Sequence, residues 1–323
     1  MVEWNRTMEA PGSTPRRPRF RRVAAPSFAL TDRDVAIIRA VEKHRFLRST
    51  HIAALLDAPP QPILRRLQRL YHAGFLDRPR AQIDYYRTGG SQPLVYGLGN
   101  AGADLLAQHF GAPRGRIDWT SKNREVGSLF LNHTLLIADV MVGLEVGCRA
   151  NGRVRVIEFG EILARAPEAT RRRRNPFAWN VRVLHDRERH TIGVIPDKIF
   201  GLQFLDAPEG QNRAYFFLEA DRGTMPVERK TFDRTSFYRK LIAYHETWRQ
   251  QIHTQHFGIK SFRVLTVTSG ADRVRNIAAA AWKATDGKAV RLFLFTDRAG
   301  IVENDPLSLT WRDAGARSAR LSD

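Results

Sequence analysis

The chain is short of cysteine and short of acid. Its 323 residues hold one cysteine, Cys148, so neither an internal disulfide framework nor a thiolate zinc site can be built within one chain. A reducing compartment fits that usage, and the expected location is the cytoplasm. No stretch reaches the roughly 18 uninterrupted apolar residues of a membrane span, and the N-terminus lacks the apolar core of a secretory signal. Acidic residues number 33 against 52 Lys and Arg, a formal charge of +19, and the sequence pI is near 10.9. That shortage of acid points to polyanionic partners. Nucleic acid is favoured over membrane, because no lipidation signal or long basic amphipathic tail accompanies the charge. A hydrophobic fraction of 43% is that of a globular chain, and the length accommodates two domains, each with its own core.

Residues 1–29 set Pro11, Pro15, Pro18 and Pro26 among Arg16, Arg17, Arg19, Arg21 and Arg22. They read as a flexible basic arm, which either follows a DNA backbone or is simply solvated. From Thr31 the spacing of Val35, Ile37, Ile38 and Val41 predicts a helix to about His44, and a second, short helix through Ile52 to Leu56 stops at Pro59 and Pro60. A third helix, about Gln61 to Ala73, gathers Ile63, Leu64, Leu67, Leu70 and Tyr71 on one side. Its other side gathers Gln61, Arg65, Gln68, Arg69 and His72, with Arg66 on the flank. Arg and Gln can read base edges in the major groove of double-stranded DNA while neighbouring Arg residues neutralise phosphates. These six are therefore candidate DNA-binding residues, and the competing reading is a solvated basic face. A strand-turn-strand through Tyr85, Tyr86, Gly89-Gly90 and Leu94 to Tyr96, then a helix Asn100 to Phe110, complete the pattern of a winged helix-turn-helix over residues 30–112. A linker with Gly111, Pro113 and Gly115 follows.

The second domain, residues 125–300, alternates in a particular order. A helix at 130–145 precedes strands at 154–162, 191–205 (interrupted near Pro196) and 214–221. A helix at 235–257, a strand at 262–268, a helix at 272–284 and a strand at 291–295 follow, and residues 314–323 read as a flexible tail. The order implies an α/β sandwich with a mixed sheet. Glu219 and Asp221 interrupt an otherwise apolar strand and, two apart, share a face. Two carboxylates there repel each other unless a cation intervenes, either a divalent metal or Arg residues such as Arg222. Hairpin arithmetic brings Asp197 to the same end of the sheet. With Leu205 opposite Ala214 it faces away, and a one-residue shift or a bulge at Gly201 turns it toward the pair. Asp197, Glu219 and Asp221 are thus candidate ligands for Mg²⁺ or Mn²⁺. Lys240 borders the apolar stripe of the long helix, as a catalytic cation or a snorkelling surface lysine. His133 is a candidate acid-base or merely packed group, and Arg171, Arg172, Arg173 and Arg174 form a basic loop suited to phosphate contact or to solvent.

Several of these segments together resemble one known family. They are Leu30-Thr31-Asp32-Arg33-Asp34, Leu64 to Leu76, Tyr96-Gly97-Leu98-Gly99-Asn100-Ala101-Gly102, Asn132-His133-Thr134-Leu135, Ile195-Pro196-Asp197, and Phe217 to Thr224 with Lys240 and Tyr244 downstream. In this order the chain resembles the replication-relaxation proteins of plasmids and other mobile elements. The second half is also similar to the restriction-endonuclease-like fold, whose pattern of Pro-Asp, then an acid, any residue and a lysine is met by Pro196-Asp197 and Glu219. Asp221 stands where that pattern has lysine, and Lys240 is the residue that could supply one from the helix. Some plasmid-mobilisation relaxases resemble the same architecture and nick DNA without a tyrosine nucleophile. The resemblance implies origin recognition and metal-dependent nicking in mobilisation or replication, alongside other proteins of that machinery. Its alternative is a non-catalytic DNA-binding replication or transcription regulator whose second domain is an inactive nuclease.

Overall fold

The computed structural model describes residues 20–24, 29–84, 92–111, 115–288 and 290–322, and its class is mixed α/β. The N-terminal module runs α1 (Asp32–His44), β1 (Phe46–Arg48), α2 (Ser49–Leu55), α3 (Pro60–His72), β2 (Leu76–Asp77), β3 (Val95–Leu98) and α4 (Asn100–Phe110). Thr31 opens α1, donating to the Asp34 carboxylate from its backbone N–H and its hydroxyl at 2.8 and 3.0 Å. Prolines in the first turn of α3 remove N–H groups that have no helical partner there. The predicted stripes meet in one core of Ile37, Ile38, Val41, Ile52, Ile63, Leu67 and Leu70. Each such side chain contributes roughly 1.5–3 kcal/mol when fully buried. Leu64 departs from the expected stripe and is 37% exposed.

The three strands pair antiparallel in the order β1-β3-β2, with Phe46 opposite Gly97 and Leu76 opposite Leu98. The expected hairpin tip, Tyr85, Tyr86 and Gly89-Gly90, lies outside the described residues, as does most of the arm at 1–29. Of that arm, residues 20–24 are docked: Arg22 donates to the carbonyls of Tyr71 and Leu76 at 3.0 and 3.1 Å. The glycines of the Gly97 to Gly102 motif allow a close crossing. A Cβ on Gly99 or Gly102 would meet the carbonyl oxygens of Gly74 and Phe75 at 2.2 and 2.3 Å, so α4 can lie on the turn after α3. Beyond the predicted linker, of which residues 112–114 lie outside the described residues, α5 (Trp119–Arg124) buries Asn123, which donates to the Leu98 carbonyl at 2.8 Å.

The long helix α6 (Ser128–Asn151) belongs to both halves. Leu131, Leu135, Ala138 and Val142 pack on the N-terminal module, and Leu136, Val140, Met141, Leu144 and Cys148 pack on the large sheet. An 18-residue window of α6 has mean hydropathy 1.5, so by length and composition this helix could cross a membrane, although the sequence holds no uninterrupted apolar run. More than half of that window is buried within the protein. Hydrogen bonds and ion pairs fasten the same helix: His51 Nε2 lies 2.8 Å from Asp139, which Arg48 also contacts, and Lys43 bridges Glu145 and Glu158 at 2.9 and 2.6 Å.

Beyond α6 come β4 (Val154–Ile157), α7 (Phe159–Arg165), α8 (Glu168–Arg171), β5 (Trp179–His185), β6 (Glu188–Val194), β7 (Lys198–Phe204) and β8 (Arg213–Ala220). They are followed by α9 (Phe237–Arg249), α10 (Ile252–Phe257), β9 (Arg263–Thr268), α11 (Ala271–Ala284), β10 (Phe293–Asp297), α12 (Arg298–Glu303), β11 (Trp311–Asp313) and β12 (Ser318–Ala319). Seven strands form one mixed sheet, β12-β11-β10-β9-β8-β7-β4, in which β8, β9 and β10 are parallel. One face packs on α6, the other on α9 and α11. Four expectations are corrected. The strand expected at 154–162 ends at Ile157, where Glu158 turns the chain into α7 and its N–H donates to the Glu161 side chain at 3.3 Å. The helix expected at 235–257 breaks at Gln251, whose φ is 55°. Trp179 to His185 forms an additional strand paired with β6 through a tight turn at Asp186 and Arg187, both with positive φ. The polar tail extends the sheet as β12, with Leu321 fully buried.

Candidate functional site

The C-terminal end of β8 carries the acids. Lys198 pairs with Leu218 and Leu202 with Ala214, so the register differs by three residues from the one that set Leu205 opposite Ala214. No bulge at Gly201 is involved, since Gly201 pairs regularly with Tyr215. The odd shift turns Asp197 to the face that carries Glu219. The Asp197 carboxylate accepts from the Ala220 N–H at 2.8 Å and lies 3.1 Å from His133 Nε2. His133 reaches it from the first turns of α6, so the site joins both faces of the sheet at one end.

Glu219 is 2% exposed. Lys240, from α9, contacts one of its carboxylate oxygens, and the Tyr244 hydroxyl donates to the other at 2.5 Å. Lys240 and Tyr244 are four apart, on one side of α9, which is why a single helix supplies both. Burial raises the Glu219 pKa above its ordinary value, with the Lys240 ammonium pulling the other way and the Asp197 charge adding to the rise. Burial acts to lower the Lys240 pKa, but the charges of Glu219 and Asp197 outweigh it and the ammonium is held above its usual value. Tyr244 is raised well above 10 by burial and by the neighbouring carboxylate, so it stays a hydroxyl donor. His133 stands above its ordinary value through its hydrogen bond to Asp197, against the effect of burial.

Asp221 does not join this cluster. Arg273 Nε and Nη2 hold its carboxylate at 2.5 and 3.0 Å, and the Thr268 hydroxyl donates to it at 2.5 Å. Burial would raise its pKa, but these donors bring it below the ordinary value. The neutralising cation is therefore Arg273 rather than the neighbouring Arg222. Among the described residues no three His, Cys, Asp or Glu side chains converge as a metal set. A Mg²⁺ or Mn²⁺ centre needs open carboxylate oxygens. Those of Glu219 are taken by an ammonium and a hydroxyl and those of Asp221 by a guanidinium, so this donor set, as arranged, does not fit such an ion. A cleft of about 170 Å³ lies beside Lys240, between β6 and α9. The arrangement can hold protons at His133 and Lys240 beside two carboxylates.

The candidate DNA-binding residues of α3 separate into three groups. Gln61, Arg65 and Arg69 are exposed and Gln68 is half-buried. Arg66 is a brace rather than a reader, with Nε and Nη2 on the Asp34 carboxylate at 2.6 and 2.7 Å. His72 is buried, and its Nδ1 accepts the Val23 N–H at 3.2 Å. Arg33, Arg65, Arg66 and Arg69 surround an open concavity of about 530 Å³. Arg171, the last residue of α8, and Arg172, Arg173 and Arg174 after it are all exposed, on the other domain, and Arg172 pairs with Glu168. Tyr244, Thr268 and Arg273 were not anticipated as site residues from the sequence. The spacing of Lys240 and Tyr244 on one helix was the available signal for the first.

Comparison with curated proteins and with solved structures finds no match. The family model described as replication-relaxation matches residues 38–261, a span from α1 through the cluster around Glu219 to α10 and covering well over half of the sequence. By that match the chain belongs to the replication-relaxation family.

Proposed function

We propose that this protein binds double-stranded DNA in plasmid or mobile-element replication or mobilisation, through an N-terminal winged helix-turn-helix. One observation carries the reading: Gln61, Arg65 and Arg69 stand exposed on α3 beside a basic concavity, and neither arginine has an ion-pair partner among the described residues. The element order α1, β1, α2, α3, β2, β3, with the strands paired in the order β1-β3-β2, supports it, because it is the order of a winged helix with α3 as the third helix. The setting is the cytoplasm, in company with other mobilisation or replication proteins. Arg65→Ala and Arg69→Ala are each expected to weaken binding to native flanking duplex about tenfold, read by fluorescence anisotropy. The affinity of the unaltered protein should fall steeply with salt. Salt-insensitive binding that ignores both substitutions would overturn the reading.

A second reading, metal-dependent nicking, has one observation on its side, Pro196-Asp197 entering β7 beside Glu219 of β8, and requires that Lys240 and Tyr244 release the Glu219 carboxylate before an ion can bind. The succession α6, β4, β7, β8, α9, β9, with three antiparallel strands and then a parallel one, supports a restriction-endonuclease-like layout. The test is a supercoiled plasmid carrying the native flanking DNA, incubated with Mn²⁺ or EDTA beside Glu219→Ala. Open circles that require both the metal and Glu219 establish nicking. Duplex binding without conversion leaves a non-catalytic regulator.

A further inference from the structure

At the opposite end of the large sheet, where β8, β9 and β10 begin, an open cleft of about 860 Å³ is lined by basic and aromatic side chains. Arg213 opens β8, so the length of that strand, at ~3.3 Å per residue, separates the cleft from the cluster around Glu219. Arg213, Lys288, Arg291 and Arg317 line it, and none of the four has a carboxylate partner among the described residues. Arg213 Nε is buried without a hydrogen-bond partner there. The one acid among the described residues of the lining, Asp313, is 2% exposed and turned inward to the N–H groups of Gly315 and Arg317. The contrast with the other end of the sheet is chemical: there Lys240 and Arg273 each meet a carboxylate, and here these four cations meet none among the described residues.

Aromatic surface lies among these charges. Trp248, at the end of α9, is 40% exposed and lines the cleft together with half-buried Tyr215. An exposed indole beside unpaired cations has little to gain from water and much from a flat, polyanionic partner. Bases stack on such rings only when they are unpaired, whereas a duplex offers its phosphates and groove edges. We infer that this cleft binds single-stranded nucleic acid, with Arg213, Arg291 and Arg317 on the phosphates and Trp248 as a stacking platform. The inference does not depend on α3 reading duplex.

The experiment measures binding of a fluorescent oligo-dT to the full chain and to three variants: Trp248→Ala, Arg291→Glu/Arg317→Glu, and Arg65→Ala/Arg69→Ala. All substituted positions are exposed, so circular dichroism should report an unchanged fold. Trp248→Ala is expected to weaken oligo-dT binding about 5-fold or more, Arg291→Glu/Arg317→Glu about tenfold or more, and the α3 variant not at all. Loss in the α3 variant with none in the other two would overturn the cleft as the site. Loss with charge reversal but none with Trp248→Ala would also overturn it, since it would describe a general polyanion surface.

Discussion

Arg273 grips Asp221 with two nitrogens while Thr268 donates to the same group, so removing the guanidinium strands a buried negative charge. Arg273→Ala is expected to cost about 3–5 kcal/mol in urea unfolding, and Arg273→Ala/Asp221→Asn should regain most of it. A loss under about 1 kcal/mol would mean the pair is dispensable. His133 gives a pH signature. Its folded pKa lies above the ordinary 6.5 because Asp197 accepts its hydrogen bond. Its stabilisation is therefore complete below that ordinary value and lost as pH rises through the raised one. His133→Gln should cost about 1 kcal/mol near pH 5.5 and nothing measurable near pH 9. At this scale the sequence was partly legible. The two-residue spacing put Glu219 and Asp221 on one face, but the side taken by Asp197 depended on the connection from Leu205 to Gln211, which no residue type specifies. Arg273 lies 52 positions from Asp221, and no local pattern announces a partner at that distance.

Helices were read from their apolar spacing, and α3, α4 and α11 fall within a residue or two of expectation. The break between α9 and α10 was hidden, since Gln251 adopts a left-handed conformation without the glycine that usually marks one. The β5–β6 hairpin was hidden for the same reason, its turn being Asp186-Arg187 rather than an Asn-Gly pair. Packing between elements makes its own prediction at Gly143 of α6. A Cβ there would meet two carbons of the Pro306 ring at 2.8 Å, and that turn is held by the Trp311 indole donating to the Pro306 carbonyl at 3.2 Å. Gly143→Ala should destabilise by about 1–3 kcal/mol, although glycine to alanine in a helix ordinarily stabilises by roughly 0.5–1 kcal/mol. Gly160→Ala, which meets nothing within 4 Å, should show the ordinary sign in the same thermal unfolding assay.

The whole molecule was expected as two domains joined by a linker, and the strongest departure is that α6 is core to both. Calorimetry should therefore show one cooperative transition rather than two. Asp139 tests the coupling: burial works to raise its pKa, but the hydrogen bond to His51 and the Arg48 charge bring it below the ordinary 3.8. Its contribution is present above that value and lost as pH falls through the lowered one. Asp139→Asn should lower stability by about 3 kcal/mol at neutral pH and split or broaden the transition, and a sharp single transition of unchanged midpoint would refute the coupling. The double duty of α6 also bears on how such proteins can exchange parts. A chimera joined at the Gly111 to Gly115 stretch would present Ala138, Asp139 and Val142 to a foreign N-terminal module. A crossover after Gly152 would present Leu136, Val140 and Leu144 to a foreign sheet. Neither seam is neutral, so recombination that swaps the N-terminal module between relatives should carry compensating changes along one side of this single helix.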